Sequence, residues 1–138
     1  MKYVREHYPN IKFGFNSTIS ILNVGYVPET VKFLHSLEED LRTRFEYCLP
    51  SIVTDKEFLF PGNLPDHVKE LYIQRIDNFK GRLGIPHINQ LLTSARGLLQ
   101  EPPKQPFSKF IDFVSEFDQV AGTDYRTVYP EFGADGEI

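Results

Sequence analysis

The sequence predicts an α/β chain that opens with one strand–helix–strand unit and continues almost wholly as helix. Three patterns carry that expectation: alternating apolar and polar residues from Lys12 to Ile21, apolar residues at helical spacing from Val27 to Leu41, and a short alternating run from Arg44 to Leu49. After Thr54 the apolar residues recur at helical spacing instead.

The first run places Phe13, Phe15, Ile19 and Ile21 on one face and Gly14, Asn16, Thr18 and Ser20 on the other, as a strand with one covered face does. The chain breaks at Asn23-Val24-Gly25-Tyr26. Pro28 then suits a first helical turn, and Glu29 sits where the helix dipole favours an acid. Val27, Val31, Leu34, Leu37 and Leu41 continue the stripe, so a helix is expected over Pro28 to Leu41. Arg44 to Leu49 reads as a second strand ended by Pro50, which makes the whole a right-handed β-α-β crossover. Two parallel strands are too few for a stable sheet, so the missing neighbours are expected from another chain or a longer form of this one.

Past a loop with Phe58, Phe60, Pro61 and Gly62, a helix is expected from Asn63-Leu-Pro65 with Val68, Leu71, Tyr72, Ile76 and Phe79 on its apolar face. Gly81 and Gly84 punctuate. Pro86 opens another helix, in which Ile88, Leu91, Leu92, Ala95, Leu98 and Leu99 give the clearest periodicity in the chain, and Pro102-Pro103 stops it. Ser108 is the expected cap of a last helix with an aromatic stripe of Phe110, Phe113, Val114 and Phe117, read as core, and Gly122 its stop. The tail from Tyr125 to Ile138, with Pro130, Gly133 and Gly136, is expected to be irregular.

At 138 residues with 41% hydrophobic, 14% aromatic and 25% charged residues, the composition is that of a globular domain and not of a disordered tail. A chain of this length buries roughly two-thirds of its unfolded surface, enough for a real core. Net charge is −4, the isoelectric point is near 5.5, and the basic residues are scattered singly, which argues against a nucleic-acid partner. No run approaches the roughly 18 apolar residues of a membrane span, and the first residues lack a signal peptide's apolar stretch, so a cytoplasmic protein with no membrane partner is expected. The single cysteine, Cys48, excludes an intrachain disulfide and a multi-thiolate metal site. His7, His35, His67 and His87 lack metal-ligand spacing, and no metal site is expected. No His or Asn pattern accompanies Cys48, which reads as a small buried hydrophobe and not as a nucleophile.

The segment Phe13 to Leu34 resembles the fifth strand and following helix of radical S-adenosylmethionine barrels of the SPASM and twitch group: an apolar strand bearing an Asn (Asn16), a second Asn near its exit (Asn23), then a helix opening with Glu (Glu29). The segment Phe113 to Phe132 is similar to the closing part of twitch-domain radical S-adenosylmethionine proteins, including ones often encoded by phages, where a helix ends in an Asp-x-Arg turn before Pro-Glu. The resemblance implies a fold of two parts. Residues 1–53 would be the C-terminal β-α-β part of a parallel β/α barrel, and residues 54–138 a helical, twitch-like cap.

It implies too that Asn16, Thr18 and Asn23 contribute to an S-adenosylmethionine pocket, and that Asp124 and Arg126 touch substrate. The family's three-cysteine loop is absent here, so the [4Fe–4S] cluster of the intact enzyme would be ligated outside this chain, on an N-terminal radical S-adenosylmethionine half or subunit. No catalytic residue is assigned, and the chain is not expected to be active alone. Read from the residues themselves, Asn16 equally suits the polar face of a half-exposed strand, and Asn23 suits a turn that bonds its own backbone. Asp124 and Arg126 could equally be a structural ion pair or a solvated turn. The alternative to part of an enzyme is a non-catalytic module that binds a protein or peptide and keeps a relic of the barrel.

Anaerobic reconstitution with iron and sulfide is expected to give no four-iron cluster, because one thiolate per chain, or two in a bridged dimer, falls short of the ligands such a cluster takes. Iron analysis and visible absorbance check this, and about four irons per chain would overturn it.

Overall fold

The computed structural model describes residues 1–79 and 86–133, without the side chains of Tyr47, Cys48, Pro86 and His87. The expectations for Gly81, Gly84 and Gly136, and for the side chain of Cys48, lie outside the described residues. The order of elements is α1 (Lys2–His7), β1 (Gly14–Ile19), α2 (Val27–Leu41), β2 (Tyr47–Ile52), α3 (Asp66–Asp77), α4 (Pro86–Gln100), α5 (Phe107–Ala121) and α6 (Pro130–Gly133), with 3-10 turns at Val24–Tyr26, Glu57–Leu59, Pro61–Asn63 and Tyr125–Thr127. The protein is a mixed α/β structure.

Strand β1 runs parallel to β2, with Asn16 beside Leu49, Thr18 beside Ser51 and Ile19 beside Ile52. Helix α2 crosses between them. Its buried Val27, Val31, Leu34 and Leu41 form the expected stripe, and it ends at Arg42 in the left-handed conformation, φ 48°. Just beyond, the buried Glu38 accepts the backbone N–H of Phe45 at 2.7 Å and fixes the entry to the second strand. Helix α4 is the centre: all six of its periodic apolar residues are buried, and it packs against β2, α2 and α3. One cluster of buried side chains joins Ile19, Val31 and Phe45 to Leu91, Phe110 and Phe132.

The sheet is covered on one face only. Phe15, half-buried, meets Phe45 edge-on at 4.6 Å, and Ile19 is fully buried on the same face. On the other face Asn16, Thr18 and Leu49 are exposed, and the Thr18 and Ser51 hydroxyls bond to each other at 3.0 Å. Among the described residues β1 and β2 are the whole sheet, so each has an outer edge with no strand beside it.

Four expectations need correction. The second strand runs from Tyr47 to Ile52 and passes through Pro50 instead of stopping there, since a strand with one neighbour tolerates a residue that lacks an N–H. Helix α3 begins at Asp66, because Pro61–Asn63 forms a 3-10 turn and Pro65 is the extended residue before the helix. Helix α5 starts from Pro106, not from Ser108, which lies inside its first turn and makes no capping bond. The tail is not wholly irregular: a 3-10 turn and α6 form, and Phe132 is buried against Phe107 and Phe110, 5.6 Å from each. Helix α1 had no periodic signal at all. Gly122 does end α5, at φ 68°, donating its N–H to the Asp118 carbonyl.

The aromatic stripe of α5 is only half core. Phe110 is fully buried and Val114 nearly so, but Phe113 and Phe117 are 45% and 59% exposed. Phe110→Ala is therefore expected to cost about 3–5 kcal/mol, whereas Phe117→Ala stays within about 0.5 kcal/mol. Denaturant midpoints of the two variants check this, and equal losses would show that Phe117 is covered.

Candidate functional site

The exit of β1 is built by side chains that fold back on backbone. Asn23 donates its amide to the Thr18 carbonyl at 2.8 Å and accepts the Ser20 N–H at 2.9 Å, so it holds the turn in the way its residue type favours. The 3-10 turn Val24–Tyr26 follows, with Gly25 under the ring of Tyr72, where a Cβ would collide. That close approach lets α3 lie on the strand exit.

The C-terminal segment closes over the same place. Tyr129 donates its hydroxyl to the Leu22 carbonyl at 2.6 Å, and Tyr26 donates to the Val128 carbonyl at 3.3 Å and to Glu131 Oε1 at 3.2 Å. Tyr72, fully buried, donates a short hydrogen bond to the same carboxylate oxygen. Glu131 is nearly buried, and the Arg75 guanidinium supplies opposite charge at 3.8 Å while lying over both the Tyr26 and Tyr72 rings, 5.6 and 5.2 Å from their centres. A buried carboxylate survives when it is paired and hydrogen-bonded, and all of these partners serve that end.

The three phenols are pushed above the usual tyrosine range. Burial is the main cause for each, strengthened by the Glu131 charge. All three phenols keep their protons at pH 7 and serve as hydrogen-bond donors that hold the closing segment on the exit of β1 as a latch.

Between the latch and α5 lies an apolar cleft of about 520 Å³. Phe113, Val114 and Phe117 of α5 line it together with Leu22 and with Tyr125, Val128 and Tyr129 of the closing segment. Asp118 braces the loop that frames it, accepting the Tyr125 N–H at 2.7 Å and the Thr123 hydroxyl at 2.5 Å. The volume is within the usual range for ligand sites, and the position beyond the carboxyl end of a parallel strand is where such sites collect in α/β folds.

Of the sequence-derived site residues Asp124 lines this cleft, beside Leu22, the residue before Asn23. Asp124 is committed locally: it accepts the Arg126 N–H at 2.9 Å, leading the 3-10 turn, and pairs with Arg126 Nε at 3.3 Å. Both side chains are more than half exposed, so the pair contributes under about 1 kcal/mol. Asn16 and Thr18 are elsewhere, on the open sheet face. Among the described residues, no group of three or more His, Cys, Asp or Glu side chains is placed to hold a metal ion, and no helix is long and apolar enough to cross a membrane.

The sequence does not mark Tyr26 or Arg75 as site residues, Glu131 enters only as the Glu of the Pro-Glu in the closing segment, and Tyr72 reads only as an apolar helix position. Glu131 meets Tyr72 and Tyr26 across 59 and 105 residues, and no local spacing announces such a pairing.

The raised phenol values set the sign of an alkaline effect. In the unfolded chain these tyrosines ionise near pH 10. Folded, they keep their protons above it. The stability they provide is intact below pH 10 and falls as pH rises above it, by up to about 1.4 kcal/mol per pH unit for the buried Tyr72 and by less for Tyr26 and Tyr129, whose charge water screens. Tyr72→Phe is expected to lower stability at pH 7 by about 1–3 kcal/mol, through the bond lost to Glu131, and to flatten the alkaline fall. Denaturant unfolding across the alkaline range checks this, and an unchanged alkaline slope would show that Tyr72 titrates normally.

Comparison with known proteins finds no family model, no curated protein and no solved structure that matches this chain.

Proposed function

We propose that the chain is the C-terminal part of a radical S-adenosylmethionine enzyme, supplying the last strands of a β/α barrel and a helical cap, with the cluster-bearing cysteines on a partner half. The observation that carries this reading is the one-sided sheet. Parallel strands are ordinarily covered on both faces and flanked by further strands. Among the described residues α4 and the core cover the face of Phe15 and Ile19, while the face bearing Asn16, Thr18 and Ser51 is open and both outer edges lack a strand. Helices outside and a polar strand face inside is the layout of one wall of a barrel. The likeness of Phe13–Leu34 to such a wall supplies the reaction class: in the complete enzyme the reduced cluster on the partner half would supply one electron to S-adenosylmethionine, releasing methionine and a 5′-deoxyadenosyl radical that would take a hydrogen atom from substrate.

In this reading Asn16 offers a donor and an acceptor to the bound S-adenosylmethionine, with Thr18 beside it and Asn23 shaping the strand exit. Asp124 and Arg126 lie on the cap, toward the substrate. A radical S-adenosylmethionine half encoded beside this chain would complete the barrel, and neither half alone would bind the cofactor.

Isothermal titration of S-adenosylmethionine into the paired halves tests the assignment. Asn16→Ala is expected to weaken binding by about 1–2 kcal/mol, the cost of a hydrogen bond to a buried polar ligand. Ser17→Ala, on the covered face, should leave it unchanged. Equal affinities for the wild type and both variants would make Asn16 a polar strand residue and remove the main support for a cofactor pocket.

A further inference from the structure

The cleft continues onto the exposed side of α5. Phe113, Phe117 and Val120 follow at i, i+4 and i+7, a ridge of about 10 Å along one helix face. Phe117 is 59%, Val120 92% and Val128 61% exposed. A small molecule would fill the cleft and leave this ridge wet, so the shape suits an elongated occupant.

Charge narrows the choice. Asp112 and Glu116 are exposed on α5 next to Phe113 and Phe117 and carry no ion pair among the described residues. Two cations lie near: Arg126 is paired with Asp124, and Lys109 is exposed one turn before Phe113, but Asp112, Glu116, Asp118 and Asp124 outnumber them around the cleft. The apolar surface therefore has an acidic border on a chain of net charge −4. Two copies facing through it would set acid against acid, and an anionic lipid surface would be repelled. A polypeptide with basic side chains flanking apolar ones would be attracted.

We propose that the cleft and the Phe113–Phe117–Val120 ridge dock a basic amphipathic helix, whose large apolar side chains enter the cleft while its Lys and Arg side chains meet Asp112 and Glu116. Such a helix presents apolar anchors every three or four residues, the spacing of the ridge it lies against. The walls are already braced by the Asp118, Tyr129 and Glu131 contacts, so docking needs no rearrangement of the closing segment. Every residue involved is on this chain, and the inference stands whether or not the sheet is completed by a partner.

Fluorescence anisotropy with a panel of labelled Leu/Phe/Lys peptides of helical spacing, and the same peptides with Glu for Lys, tests this on the full chain without S-adenosylmethionine. The Lys peptides are expected to bind at least about tenfold more tightly than the Glu peptides, with affinity falling as salt rises. Phe117→Asp and Val120→Asp, each at an exposed position, should keep the melting transition and weaken binding at least about tenfold. The pair Asp112→Asn and Glu116→Gln should weaken it less and flatten the salt dependence. Equal binding of Lys and Glu peptides, failure of every Lys peptide to bind, or binding untouched by both Asp variants would overturn the proposal. So would self-association of the chain that Phe117→Asp abolishes, which would make a second copy the occupant.

Discussion

Two parallel strands have no stability of their own, and this fold depends on what α4 provides in place of further strands. Its buried stripe reaches β2 on one side and α2 and α3 on others, so helix covers the sheet face of Phe15 and Ile19, with Ile52 at the end of β2 left 47% exposed. The crossover helix α2 packs on α4 in turn, with Val27, Val31 and Leu34 buried. Glu38 adds a polar tie where α2 hands over to the second strand, accepting the Phe45 N–H where that strand's approach begins. A polar strand face can stay open to water at little cost, and that asymmetry lets the fold persist with half of its sheet uncovered.

The second organising contact is the Glu131 carboxylate beneath Tyr26 and Tyr72. It fastens the end of the chain to the exit of β1, and the cleft follows from it. With the closing segment held there, Phe132 joins the core beside Phe107 and Phe110, while Val128 and Tyr125 are left facing α5. The helix is consequently buried along Phe110 and Val114, while Phe113, against Phe58 at 4.9 Å, and Phe117 stay 45% and 59% exposed. One latch thus both completes the core and creates the exposed ridge.

What could be read in the sequence was whatever repeats over a few residues. Alternation from Lys12 to Ile21 correctly separated the covered Phe15 and Ile19 from the open Asn16 and Thr18, and the 3.6-residue period placed all six apolar contacts of α4. The second strand was displaced because Pro50 looked like a terminator, which it is only where its missing N–H is needed. The α5 stripe looked like core because periodicity reports which residues share a face, not whether anything covers it. Helices α1 and α6, at 6 and 4 residues, are too short to show a period. The latch was invisible for a different reason: a carboxylate and its phenols 59 and 105 residues away leave no local pattern, and only the fold brings them together.

The two open surfaces ask for different kinds of neighbour. The outer edges of β1 and β2 offer backbone donors and acceptors in strand register, so another strand is what satisfies them, and single side-chain changes barely touch that recognition. The cleft and ridge offer shape and apolar area bordered by acids, so recognition there is carried by a few anchors and is sensitive to each one. Both surfaces meet at the exit of β1, where Asn23 ties the turn to Thr18 and Tyr129 ties the closing segment to Leu22. Leu22 lines the cleft and its carbonyl accepts the Tyr129 hydroxyl, so the cleft is built in part from the turn that ends β1.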